Sequence, residues 1–109
     1  MADIQEHKAT VIKYVKNVNT AALDGLAKNY ALVLSNKDSQ YVASGDEAER
    51  ITVRENFLKK KLGLTNSDAD LDAAVVAVGE TMKDDRFKSR LAYYYILADK
   101  YNKLDMFIK

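Results

Sequence analysis

"DDRFKSRLAYYYILADKY", residues 84–101, sets paired acids, three basic residues, three consecutive tyrosines and an apolar run side by side, and its reading decides the fold. Basic residues beside aromatics can grip a nucleic-acid backbone and stack its bases. The same letters also describe a buried helix with a charged entrance. The spacing favours the buried helix. Phe87, Leu91, Tyr94, Ala98 and Tyr101 follow one helical face, and from Leu91 to Ala98 the segment is apolar nearly all round. Such a helix is normally central in a bundle and touched on several sides. Successive residues point about 100° apart, so Tyr93, Tyr94 and Tyr95 cannot share one stripe. Their hydroxyls let a buried helix satisfy polar partners at its margins. The side around Tyr93 and Ile96 is the candidate surface for a second copy or a protein partner.

The sequence places the cap of this helix at Asp84 or Asp85 and its end near Lys103. Arg86, Lys88 and Arg90 then occupy its first two turns, where the helix dipole disfavours exposed cations by roughly 0.3 to 1 kcal/mol each. Pairing with Asp84, Asp85 or acids of a neighbouring helix is the simpler offset. The sharper one is a bound anion, because free amides at a helix start with Arg86 and Arg90 on one face make a phosphate-sized site.

Working back along the chain, four more helices are expected. The first spans about Asp3 to Asn17, with Ile4, Val11, Val15 and Val18 on one face. Asn19 or Thr20 caps a second that runs through Leu34 and buries Leu23, Leu26, Ala27 and Tyr30. "SNKDSQYVASGD" reads as a loop with a helical turn around Tyr41 and Val42. Ser44 to Glu47 is a Ser-x-x-Glu capping box opening a third helix that runs to Leu62 and stops at Gly63. Asp46 with Arg50 and Glu55 with Lys59 are acid-to-base pairs four apart on its outside. A fourth starts near Ser67 or Asp68 and turns Leu71, Val75, Val78 and Met82 inward. No segment alternates with period two for long enough to be a strand. The fold class is all-α: about five helices in one compact domain over residues 1–109.

Composition narrows the function. The chain has 48% apolar residues and no cysteine, which excludes disulfides and thiolate catalysis and suggests a reducing compartment. Met1 to Glu6 carries acids where a secretory leader is basic. The longest apolar run, Leu91 to Ala98, falls far short of the ~20 residues that span a bilayer. A cytoplasmic chain without membrane association is expected. Seventeen basic against sixteen acidic residues leave a formal charge of +1, far from the basic footprint of a dedicated nucleic-acid domain.

Individual motifs add little chemistry. Lys59, Lys60 and Lys61 suit the last turn of a helix, where cations complement the dipole; with Arg86, Lys88 and Arg90 they form a polyanion site only if the two clusters converge in space. Asp68, Asp70 and Asp72 imitate the opening of a calcium loop, but Ala73 and Gly79 stand where that loop needs Gly and Glu. His7 is the sole histidine and reads as a partly exposed structural residue, without companions for zinc. No nucleophile elbow, phosphate-binding loop or dinucleotide fingerprint is present. No catalytic residue, metal ligand or cofactor is assigned.

Phe57-Leu58-Lys59-Lys60-Lys61-Leu62-Gly63-Leu64, within residues 54–78, and Asp85-Arg86 with Lys88, Arg90 and Tyr94-Tyr95, within residues 85–104, carry a resemblance. The chain resembles a small bacterial family catalogued as domain of unknown function 2853. That resemblance implies a bacterial, cytosolic, compact helical domain, and brings no activity, cofactor or catalytic residue with it. The leading functional expectation is a protein-interaction or self-associating module, a homodimer included. The alternative is a nucleic-acid or phosphate binder using the two basic clusters.

Overall fold

The computed structural model describes residues 4–37 and 39–108. Helix α1 spans Ile4–Tyr14, α2 Thr20–Asn29, α3 Ala31–Ser35, α4 Glu47–Thr52, α5 Asp68–Thr81 and α6 Arg90–Lys100. Two two-residue strands, β1 (Tyr41–Val42) and β2 (Lys88–Ser89), pair antiparallel with Tyr41 opposite Ser89 and Val42 opposite Lys88. The fold is all-α apart from this clasp. The expected start of the first helix at Asp3 and the last residue, Lys109, lie outside the described residues.

The tyrosine segment is the axis of the core. Leu91, Ala92, Tyr93, Tyr94, Tyr95, Leu97 and Ala98 are all buried, and α6 packs against α1, α2 and α5. The three phenols reach three different elements, as their 100° spacing requires. Tyr93 donates its hydroxyl proton to Val75 O on α5. Tyr95 Oη accepts from the amide of Asn19, 2.8 Å away at the start of α2. Tyr94 Oη accepts from Arg90 at 2.9 Å, while its ring stacks on Phe57 at 3.9 Å between centroids and 11° between planes. Tyr30 meets both rings edge-on, at 5.9 and 5.1 Å, the geometry aromatic quadrupoles favour.

Three local signals in the sequence act as expected. Asn19 caps α2 by accepting from the Ala22 amide, Ser67 caps α5 through Asp70, and Gly63 takes the left-handed conformation (φ 71°) that ends the third helix. Leu71, Val75, Val78 and Met82 all face inward.

Other elements depart from expectation for identifiable reasons. The second helix breaks at Tyr30 (φ −112°, ψ 19°), so one expected helix becomes α2 and α3. The capping box is not used: Asp46 caps α4, its carboxylate accepting from Ala48 N, which leaves Arg50 to donate to Ser44 O instead of pairing with Asp46. After Thr52 the helix continues in π form from Val53 to Lys61. Its buried residues, Val53 and the pair Phe57–Leu58, with Leu62 just past its end, follow one another at four or five positions per turn, a spacing that the wider turn of i→i+5 bonding brings to one face. Tyr41 and Val42 form β1 and not a helical turn, consistent with the extended preference of aromatic and β-branched residues.

The entrance to α6 is the largest departure. Neither Asp84 nor Asp85 is its cap. Asp85 is drawn to α1, where Lys13 holds its carboxylate at 2.6 Å and keeps it below the usual carboxylate range. Ser89 caps the helix by accepting from Ala92 N. Arg86 and Lys88 therefore precede the helix, and Phe87, expected on the inward face, is 62% exposed. At the other end, Asn102 adopts φ 57° and Lys103 N donates to Ala98 O, a left-handed stop. The chain then turns back, and the short 3-10 helix Leu104–Phe107 docks on α2, burying Phe107 parallel to Phe57. Gly25 makes this possible: a Cβ there would lie 1.8 Å from Phe107 O.

Candidate functional site

Arg90, expected at an anion site, is committed to the interior. It is 7% exposed. Its Nε donates to Ser39 O at 2.5 Å, Nη1 to Tyr94 Oη at 2.9 Å, and Nη2 to Tyr41 O at 3.2 Å and to the Glu49 carboxylate. Burial opposes its charge, but Tyr94 and Glu49 more than compensate and hold the guanidinium above its ordinary pKa. Four of the five donors of the planar fork go to protein acceptors, and the guanidinium is enclosed.

His7 is the second correction. It is buried, not partly exposed. Its Nδ1 lies 2.7 Å from Ser89 Oγ and its Nε2 3.2 Å from Gln40 Oε1. Because the Gln40 oxygen only accepts, Nε2 carries the proton and Nδ1 accepts from the Ser89 hydroxyl, which in turn accepts from Ala92 N. Gln40 also accepts from Arg90 N at 2.8 Å through its main-chain oxygen. One polar node thus ties α1, the β clasp and the start of α6. A Ser–His contact suggests nucleophilic catalysis, but Ser89 and His7 are both enclosed; this pair positions the α6 entrance.

The remaining basic residues separate. Lys59 holds two carboxylates, Glu55 at 2.9 Å and Asp68 at 2.5 Å, and these hydrogen bonds lower both acids' pKa and raise its own, Glu55 being held first by Arg54 at 2.8 Å. Lys60 is exposed, and Lys61 lies over the Phe107 ring with Nζ 3.5 Å from Asn29 Oδ1. Arg86 lies over the ring of Phe87, 5.4 Å from its centroid. Lys88 donates to Asp85 O at 3.0 Å. Of the proposed interaction pair, Tyr93 is 0% exposed and offers a partner no area, and Ile96 is half-buried against the core.

Two accessible features lie beside these basic residues. The first is an aromatic edge at the β clasp: Phe87 and Tyr41 lie 5.3 Å apart, and Tyr41 in turn contacts His7 at 5.8 Å. Asp84 and Arg86 precede Phe87 in sequence and are exposed. Sequence periodicity missed this edge because it assigned Phe87 to the core stripe. The second is a cleft of about 450 Å³ between the Ser44–Gly45 loop and the end of α5, lined by Arg50 of α4, Lys83 just after α5 and Lys88 of β2. Of these, sequence singled out Lys88 as a candidate binding residue and read Arg50 as the partner of Asp46.

A family model described as "Protein of unknown function (DUF2853)" matches residues 6–105, nearly the whole chain. The chain belongs to this family. No curated protein matches it. Its residues 54–64 and 85–95, which carried the resemblance, map onto the π segment with its lysine end and onto the α6 entrance with the stacked Phe57–Tyr94 pair between them. The two stretches thus meet in the aromatic core of this DUF2853 chain. No helix among the described residues is long and apolar enough to cross a membrane.

Proposed function

We propose that this DUF2853 chain is a cytoplasmic protein-interaction module, one domain over its length, that self-associates through the edge around Phe87. The observation that carries this reading is the exposure of Phe87 beside Tyr41 and beneath Arg86. An aromatic ring, a second aromatic and a stacked arginine are the residue types that dominate binding energy at protein interfaces. A second copy suits the edge on charge grounds. Asp84 and Arg86 are both exposed just ahead of Phe87 in the chain, and a two-fold contact can set each Arg86 against the partner's Asp84. The formal charge of +1 leaves little net repulsion to hold two copies apart. The nucleic-acid alternative loses support, because it needs Lys59 and Arg90 free on one strip and both hold carboxylates.

Sedimentation equilibrium over a wide concentration range tests the reading. Wild type should associate, Phe87→Ser should weaken association by tenfold or more, on the order of a ~2 kcal/mol hot spot, and Arg86→Asp should weaken it while adding Asp84→Arg restores it. A chain that stays monomeric throughout, or one that associates equally well with Phe87→Ser, contradicts it.

A further inference from the structure

The cleft beside the Ser44–Gly45 loop gathers three cations that hold no carboxylate among the described residues. Lys8, Lys13, Arg54, Lys59 and Arg90 each hold a carboxylate. Arg50, Lys83 and Lys88 line one cleft, and among the described residues none of the three makes an ion pair. Glu80 shares the cleft without closing on them. Like charges gathered in this way repel, and an anion between them removes that cost.

Arg50 adds a separate observation. Its Nη1 donates to Ser44 O at 2.9 Å, while its Nε is buried with no hydrogen-bond partner. A buried donor left unmade carries its desolvation cost, and it belongs to a side chain that lines this cleft as well as the neighbouring one with Glu47, Asp68 and Asp72. The backbone is also shaped around this place. Gly79 lets the Ser44 loop come down on α5: a Cβ at position 79 would sit 3.0 Å from Ser44 Cβ and 3.2 Å from Tyr93 Oη.

We infer that this cleft binds a phosphate monoester, with Arg50, Lys83 and Lys88 around the phosphate. The size selects an ester over the bare ion. About 450 Å³ falls in the range of small-molecule sites, more than one phosphate fills, and Val76, 42% exposed on its wall, offers an apolar surface to the ester's organic part. The inference is independent of the Phe87 edge.

The test is calorimetric titration of the full chain with phenyl phosphate and with inorganic phosphate, against sodium chloride at matched ionic strength. Saturable binding of phenyl phosphate is expected, tighter than inorganic phosphate and absent with chloride. Lys83→Gln, at an exposed position that leaves the fold intact, should weaken it roughly tenfold or more, the worth of one charge-assisted contact; Arg50→Gln should do the same, and Glu80→Gln should tighten it. Equal response to chloride, or undiminished binding by Lys83→Gln, overturns the site. Equal affinity for the two phosphates overturns the ester.

Discussion

The guanidinium of Arg90, at the first residue of α6, donates to the carboxylate of Glu49 on α4 from a position where it is almost wholly enclosed. The same side chain also satisfies Ser39 O, Tyr41 O and Tyr94 Oη. Removing one partner of such a buried pair strands the others. Arg90→Ala should therefore cost about 3 to 5 kcal/mol in urea denaturation. Arg90→Lys should recover less than half, because an ammonium cannot reproduce the planar fork. A loss under about 1 kcal/mol for Arg90→Ala, the size expected of a surface pair, contradicts the network.

His7 and Ser89 form a coupled pair across 82 positions of sequence. Ser89→Ala removes the α6 cap, worth about 0.5 to 2 kcal/mol, and also the partner of His7 Nδ1. A double-mutant cycle of His7→Ala and Ser89→Ala should show a coupling of about 0.5 to 3 kcal/mol. Strict additivity would mean that α1 is not fastened to α6 through this contact.

Gly25→Ala reverses the ordinary sign of a helical glycine substitution. In an open helix it stabilises by roughly 0.5 to 1 kcal/mol. At this position the added methyl meets the Phe107 carbonyl, so the 104–107 segment must lift and Phe107 leaves the core. The expected cost approaches that of Phe107→Ala, about 3 to 5 kcal/mol, and combining the two should cost little more than either. A stabilised Gly25→Ala would show that the tail does not dock on α2.

The sequence made the interior legible and the rim much less so. Tyr93, Tyr94 and Tyr95 read as core because an apolar run that surrounds a helix has to be covered on all sides, and α5 was plain from Ser67 and its stripe. The entrance to α6 was hidden because Asp85 and Ser89 are both good caps by type. The choice between them depends on Lys13, 72 positions away, which takes Asp85, and on a two-residue strand too short to show a period. Arg90 looked like a free cation for the same reason: Glu49, Ser39 and Tyr41 surround it only after the chain has folded. Arg50 read only as the base of a pair with Asp46, and Lys83 carries no local pattern, so neither pointed to the cleft.

Enclosure of the tyrosines sets the alkaline limit of stability. Burial pushes the Tyr93 hydroxyl up to about 12 and raises Tyr30 strongly; it also raises Tyr94, where Arg90 pulls the other way. These groups ionise near 10 in the unfolded chain. Their folded values being higher, the native state binds protons that the unfolded state has released above that pH, so stability is whole below pH ~10 and declines as pH rises from there toward the folded values, by up to about 1.4 kcal/mol per unit for each group. A pH titration following phenolate absorbance and helical circular dichroism together therefore tests the architecture directly. The buried tyrosines should ionise in one steep step above pH ~10 that coincides with loss of helix. Seven phenols titrating smoothly at the ordinary value while the helical signal stays intact would place these rings in water and contradict the fold on which both binding sites depend.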